Sequence, residues 1–329
     1  MELLEDLLEE ARKLNASDLH ITANQSVSLR IDGKLRKTKL LITKEQVVKM
    51  LAYILNEEQL QNLEANGELD CAFMDGKGLP YRVNVAKSDG QYLLVMRIIK
   101  LEIPSCEELL LPETIQTLAN LKQGLVLVCG ATGSGKSTTL ATFIEKINRE
   151  RKLHIVTLED PIEYRYVSKK SLIHQREVGR DTASFAIGLR SVLRQDPDVI
   201  LVGELRDKET IAAALTAAET GHLVFATLHT NDSTGAVNRI LDSFDEGRQL
   251  IRSQLAEVLQ AIVCQELLPK VGGKGRVANF EVLIATPALR SLIREGRTHQ
   301  IASYLTTGKQ QGMLTKEEHR KMLQEKGLI

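Results

Sequence analysis

The sequence predicts an α/β protein of two domains, a small α+β domain followed by a larger domain on a parallel sheet. Three observations carry that reading. The apolar run Leu125-Val126-Leu127-Val128-Cys129 leads into a glycine loop and then a helical pattern. Beyond it, strand-like and helix-like segments alternate, the signature of a parallel sheet. Before it, short alternating segments end in turn signals, as in an antiparallel sheet. At 329 residues the chain is long enough for both domains.

In chain order, residues 1–14 read as an amphipathic helix with Leu3, Leu4, Leu7, Leu8 and Ala11 on one face. Strand-like runs follow at residues 19–22 and 27–31, the second closed by the turn signal Asp32-Gly33. Residues 44–63 have a helical pattern that stops before Asn66-Gly67, and residues 81–85 and 91–99 read as strands. The first domain is therefore expected over residues 1–99. A linker is expected over residues 100–112, which carry Pro104 and Pro112.

The segment that organises the second domain is Gly130-Ala131-Thr132-Gly133-Ser134-Gly135-Lys136-Ser137-Thr138, which contains the pattern GxxxxGKS. Leu140, Phe143, Ile144 and Ile147 then fall at i, i+3, i+4 and i+7, one face of a helix. Strand, loop and helix together make this a phosphate cradle, in which loop N–H groups and a free helix N-terminus meet the anion. Lys136 would reach the β- and γ-phosphates and the Ser137 hydroxyl would bind Mg²⁺. Three later strands are expected at residues 154–158, 199–202 and 223–228. They end in Glu159-Asp160-Pro161-Ile162-Glu163, in Gly203-Glu204 and in His229. Open parallel sheets bind ligands at the carboxyl ends of their strands. Lys136, Glu159, Glu163, Glu204 and His229 should therefore converge on one crevice.

Glu204, just beyond a hydrophobic strand, is the candidate to polarise the attacking water. Gly203 stands where an aspartate often precedes such a glutamate, so Mg²⁺ leans on Ser137 and on water-mediated contact with Glu204. Of Glu159, Asp160 and Glu163, one orients water or metal; alternatively they cap a helix or pair with Arg165 or Arg176. His229 reads as a γ-phosphate sensor, and His222 either contributes to the nucleotide site or is a structural hydrogen-bonder. No arginine stands out within the crevice. Arg82 and Arg97 in the first domain are either ordinary exposed strand arginines or fingers supplied in trans by an oligomer. The later chain reads as mostly helical. Asp207 caps one helix, residues 248–262 form another, Thr286-Pro287 opens a third, and Thr315 with Glu318 makes a capping box for the last.

Composition narrows the function classes. Lys+Arg and Asp+Glu both count 43, and there are no tryptophans and no basic block, which weighs against a nucleic-acid partner. Cys71, Cys106, Cys129 and Cys264 form no CxxC pair, so neither a zinc site nor a disulfide framework is expected. Glu2, Glu5 and Asp6 are unlike a signal peptide, and no apolar run is long enough to span a membrane.

Taken together, the motifs resemble those of the type IV pilus retraction ATPases, the PilT type, within the hexameric secretion ATPase superfamily. The segment 16–20 (Ala-Ser-Asp-Leu-His) is similar to its N-domain signature and 130–139 to its Walker A. Residues 158–164 resemble its aspartate box, 195–204 its atypical Walker B without the aspartate, and 218–230 its histidine box. The resemblance implies a PAS-like N-domain over 1–99 and a RecA-like P-loop ATPase domain over 113–285. It also implies a C-terminal helical region over 286–329. Six copies would form a ring with ATP and Mg²⁺ between the domains. Arg82 and Arg97 would reach the nucleotide, Glu204 would be the catalytic glutamate, and the partners would be an inner-membrane platform protein and other pilus ATPases. The location implied is the cytoplasm, peripheral to the inner membrane. Residues 288–295 (Ala-Leu-Arg-Ser-Leu-Ile-Arg-Glu) resemble the retraction motif AIRNLIRE, departing from it at Leu289 and Ser291. Residues 265–276 read as a short glycine-rich turn without the tetracysteine insertion of the PilB and GspE motors. Rival readings are a pilus-assembly or type II secretion motor, a nucleic-acid-translocating ring, and a non-hydrolysing regulatory subunit.

Overall fold

The computed structural model describes residues 2–99, 102–273 and 275–329. Met1, Lys100, Leu101 and Lys274, which fall in the expected first helix, linker and glycine-rich turn, lie outside the described residues. The chain divides into two compact units, Met1–Leu101 and Glu102–Ile329.

The first unit runs α1 (Glu2–Lys13), β1 (Asp18–Thr22), β2 (Ser26–Ile31), β3 (Lys34–Leu41), α2 (Lys44–Ile54), α3 (Glu57–Asn66), β4 (Glu68–Met74), β5 (Pro80–Ser88) and β6 (Gln91–Ile98). Its six strands form an antiparallel sheet in the order β3-β2-β1-β6-β5-β4. Alternation sets the two faces. Leu19, Ile21, Leu29, Val83, Val85 and Met96 are buried in one core with Leu4, Leu8, Val47 and Leu51 of the helices. The intervening residues, Asp18, Arg30, Arg82 and Arg97 among them, point to the opposite face. The single helix expected over residues 44–63 is two. Asn56 caps the second one with a reciprocal pair of hydrogen bonds to Gln59, which breaks the pattern between Ile54 and Glu57.

The second unit continues with α4 (Glu113–Thr117), β7 (Gly124–Cys129), α5 (Lys136–Glu150), β8 (His154–Glu159), β9 (Leu172–Glu177), α6 (Phe185–Val192), β10 (Val199–Val202), α7 (Lys208–Glu219) and β11 (Leu223–Leu228). It closes with α8 (Ser233–Asp242), α9 (Arg248–Val258), β12 (Leu259–Pro269), β13 (Arg276–Ile284), α10 (Pro287–Arg294), α11 (Ile301–Thr307) and α12 (Lys316–Glu325). The sheet order is β13-β12-β7-β11-β10-β8-β9, parallel from β12 to β9 with β13 antiparallel at one edge. Leu125, Leu127 and Cys129 of β7 enter one core and Val126 and Val128 the other. Burial on both faces is why this strand reads as a continuous apolar run.

The helix expected over residues 248–262 ends at Val258, and β12 begins at Leu259. Leu255, Val258, Leu259 and Ile262 mimic one helical face, yet residues 259–264 are buried all round or nearly so, between β7 and β13. A strand buried on both faces has no alternation to betray it. Residues 265–269, expected as part of a glycine-rich turn, continue β12, because they pair in antiparallel register with residues 276–280 of β13. In the segment expected as linker, Cys106 and Leu111 are buried in a core of the second unit. α10 carries the retraction-type motif, with Leu289 and Ile293 buried.

Candidate nucleotide site

β7 delivers the chain into the phosphate loop. Gly130 is at φ +148°, and a Cβ there would lie 2.4 Å from the Gln265 carbonyl oxygen and 2.5 Å from Ser134 Oγ. Gly133 and Gly135 are also at positive φ, which turns successive amides toward one side. Gln265 of β12 braces the loop from beneath. Its Nε2 donates to the Ser134 carbonyl at 2.7 Å, and its Oε1 accepts from Thr139 Oγ1 at 2.9 Å. Thr138 Oγ1 meets the Tyr164 hydroxyl at 2.8 Å, tying α5 to the acidic segment that follows β8. Thr132, Gly133 and Ser137 are exposed at the mouth, while Ser134 and Lys136 are buried.

Lys136 Nζ donates to the carbonyls of Gly130 at 2.8 Å and Ala131 at 3.1 Å. Burial lowers its pKa below the ordinary lysine value, and the negative fields of Glu204 and Glu163 partly restore it. Here is a buried ammonium held by neutral oxygens alone. Such a charge is costly until an anion arrives, so the arrangement suits a polyphosphate.

Glu204 follows β10, and both its oxygens are engaged. Oε1 lies 3.3 Å from His229 Nε2, and Oε2 accepts from Arg206 Nε at 2.7 Å. Arg206 Nη1 lies 3.5 Å from Asp160 Oδ2, so this one guanidinium links the segments after β8 and β10. Glu159 Oε1 accepts from Thr157 Oγ1 at 2.6 Å and Gln175 Nε2 at 3.2 Å. Burial nevertheless pushes the Glu159 carboxyl up to about 7, against those hydrogen bonds. Glu163 is exposed.

The crevice thus gathers Lys136, Glu159, Asp160, Glu163, Glu204 and His229 at one edge of the sheet. His222 is not among them and is corrected here. It precedes β11, and its carbonyl accepts from Gly124 N at the start of β7. The phosphate loop follows the other end of that strand, roughly 20 Å away at ~3.3 Å per residue. The His222 ring bonds the Ala217 carbonyl at 2.9 Å and Thr220 Oγ1 at 3.1 Å, closing the end of α7. Arg165 and Arg176 form no ion pair with the acidic segment among the described residues; Arg206 takes that place for Asp160. In the first unit, Arg97 and Arg82 are direct cross-strand partners, and Asp18 is opposite both Arg97 and Arg30. Arg97 Nε donates to Asp18 Oδ1 at 3.0 Å, and Arg82 Nε lies 3.7 Å from Asp70 Oδ1.

Sequence reasoning missed Arg206 and Gln265. Arg206 stands two residues beyond Glu204, a spacing that brings the two together only because the chain turns after β10. Gln265 had no signal, because its strand was hidden.

Mg²⁺ needs hard oxygen ligands, and the crevice offers the Ser137 hydroxyl and the Glu204 carboxylate. Among the described residues no cluster of three or more His, Cys, Asp or Glu could hold a metal by itself.

The family model described as type II/IV secretion system protein matches residues 1–327. The chain belongs to this family, as a PilT-type ATPase. It is 45% identical over 326 residues to the type IV pilus retraction ATPase PilT of Pseudomonas aeruginosa, covering 98% of this chain and 94% of the relative. It is 47% identical over 303 residues to a twitching motility protein of Neisseria gonorrhoeae, covering 92% and 81%. The crystal structure of the pilus retraction motor PilT with bound ADP superposes with a TM-score of 0.89 at 44% identity, covering 98% and 93%. That neighbour places the fold as an N-terminal domain followed by a RecA-like ATPase domain, and it supports nucleotide binding here. Among the described residues no helix is long and apolar enough to cross a membrane.

Proposed function

We propose that this chain is the ATP-hydrolysing subunit of a hexameric ring that powers type IV pilus retraction, and hence twitching motility. The observation that carries the chemistry is Lys136, buried and held only by the Gly130 and Ala131 carbonyls. On nucleotide binding its ammonium exchanges those carbonyls for β- and γ-phosphate oxygens. Residues 132–138 wrap the phosphates with backbone N–H groups and the α5 N-terminus. Ser137, and Glu204 through water, would hold Mg²⁺, which neutralises charge on the phosphates when bound. Glu204 polarises the attacking water. Arg206 and His229 each contact one oxygen of the Glu204 carboxylate and orient it, and the remaining lone pairs are left to accept the proton of the water. His229, beside Glu204, senses the γ-phosphate. Glu159, Asp160 and Glu163 line the same edge, with Glu163 orienting water or metal. Arg82 and Arg97 act in trans, from a neighbouring copy in the ring. The ring works on an inner-membrane platform protein and sits at the cytoplasmic base of the pilus machine, alongside other pilus ATPases.

The direction of work rests on the similarity to retraction motors and on the α10 motif. It is tested by counting surface pili and measuring twitching in a strain lacking the gene, complemented with either the natural chain or Glu204→Gln. More pili with lost twitching, restored only by the natural chain, is the expected result. Few or no pili would reverse the direction and make this an assembly motor. Normal twitching with Glu204→Gln would remove hydrolysis from the mechanism.

A further inference from the structure

A cavity of about 600 Å³ opens along the edge strand β9, and none of its lining residues belongs to the phosphate loop. Its polar wall is His154, Arg165, His174, Gln175, Arg176 and Gln195, with no carboxylate side chain among the described lining residues. The two guanidinium groups of the lining make no ion pair among the described residues, and the negative charges nearest Arg165, Glu159 and Asp181, lie outside the lining.

The two kinds of cationic and polar side chain are not equivalent. The histidines satisfy each other. His154 Nδ1 faces the Asp196 carbonyl at 3.0 Å and must carry the hydrogen there, so its Nε2 accepts from His174 Nδ1 at 2.9 Å. Gln175 is likewise used up, its Nε2 donating to the Tyr164 carbonyl at 2.7 Å and to Glu159 at 3.2 Å. The arginines keep unused donors. Arg176 Nη2 donates to the Asp181 carbonyl at 3.0 Å, but Arg176 Nη1 is buried with no hydrogen-bond partner among the described residues. The Asp181 carboxylate pairs with Arg180 at 2.8 Å and makes no ion pair with Arg176 among the described residues. A buried guanidinium nitrogen without an acceptor is costly, and a fork of N–H donors matches the oxygens of a phosphate group better than any neutral ligand.

We propose that this cavity binds a phosphate-bearing small molecule, with Arg165 and Arg176 as its anchors and the His154–His174 pair as a wall. Its volume lies in the range of small-molecule sites, roughly 300–1,000 Å³. The site is separate from the phosphate loop, yet Gln175 connects its wall to Glu159 and to Tyr164, whose hydroxyl meets Thr138.

The test is calorimetric titration of the full chain with pyrophosphate, the phosphate loop being held saturated with ADP. One saturable site per chain that ADP does not compete for is expected. Arg165→Gln and Arg176→Gln should each weaken it about tenfold or more, and Arg165→Lys should recover part of the loss. Arg176→Gln also removes the bond to the Asp181 carbonyl, so its loss alone could come from a disturbed loop. Among the described residues Arg165 makes no side-chain hydrogen bond, so its variant keeps the test decisive. Heat that vanishes as ADP is raised, or a site of unchanged affinity in Arg165→Gln, would overturn the proposal. Absence of any second site would equally overturn it, and protection of Arg165 and Arg176 from chemical modification on assembly of the ring would then assign the cavity to an interface between copies.

Discussion

In the antiparallel sheet of the first unit, charged side chains stand in a row across one face: Arg30, Asp18, Arg97 and Arg82 are successive cross-strand partners. In the parallel sheet of the second unit both faces are buried, and polar chemistry gathers where the strands end. The cause is the same side-chain alternation in two settings. A sheet covered on one side can display function on the other. A sheet covered on both sides has only its edges, and its carboxyl edge is where loops and helix N-termini meet. Changes on the displayed face should therefore alter activity without unfolding, whereas changes at the strand ends act on a network in which each group holds another.

The largest expected effect tests the displayed face. Arg82→Ala should lower ATP hydrolysis by the assembled ring about 10³-fold, the lower end of what an arginine finger supplies. Its pair with Asp70 is partly exposed, so unfolding free energy should move by no more than about 1 kcal/mol. Denaturant titration alongside phosphate release checks both, and a large stability loss would make Arg82 structural instead. Next comes Glu204→Gln, expected to cost about 10²-fold in hydrolysis, the lower end of what a general base supplies, while nucleotide binding survives. Arg206→Gln should fall lower in the order, at about tenfold in kcat with little change in KM, since it removes one charged hydrogen bond to the Glu204 carboxylate. If Arg206→Gln raised the rate, the guanidinium would be a restraint on Glu204 and not a support.

A last effect is one of pH and bears on stability alone. Burial raises the Glu159 carboxyl from 4.5 to about 7 in the folded chain. A raised carboxyl contributes stability that is complete below pH 4.5 and is lost as pH rises through about 7. The loss is on the order of 3 kcal/mol. Glu159→Gln should flatten that part of the stability profile, and denaturant midpoints between pH 4.5 and 8 would show it. Parallel profiles for the two proteins would remove burial as the cause.

Much of the site was legible because its parts are local. The phosphate loop announces itself by glycine spacing between an apolar strand and an amphipathic helix. The acidic and imidazole groups announce themselves by position just after apolar runs. What failed was long-range or hidden by uniform burial. β12 passed for the end of a helix because every core position was apolar. With it went Gln265, which braces Ser134 and Thr139 from 126 or more positions away in sequence. His222 shared a motif with His229, and only strand direction separates them to opposite edges.

The sequence by itself determined the nucleotide chemistry and the family, since loop, strand ends and motif order are encoded in short contiguous segments whose local geometry follows from glycine, hydrophobic periodicity and capping. Only the tertiary structure decided how the charges are shared. That Glu204 is held by Arg206 and His229, that Asp160 joins them, and that Arg176 keeps a buried nitrogen without a partner depend on strand order and register. Electrostatic partners are chosen by distance in space, which no single segment specifies.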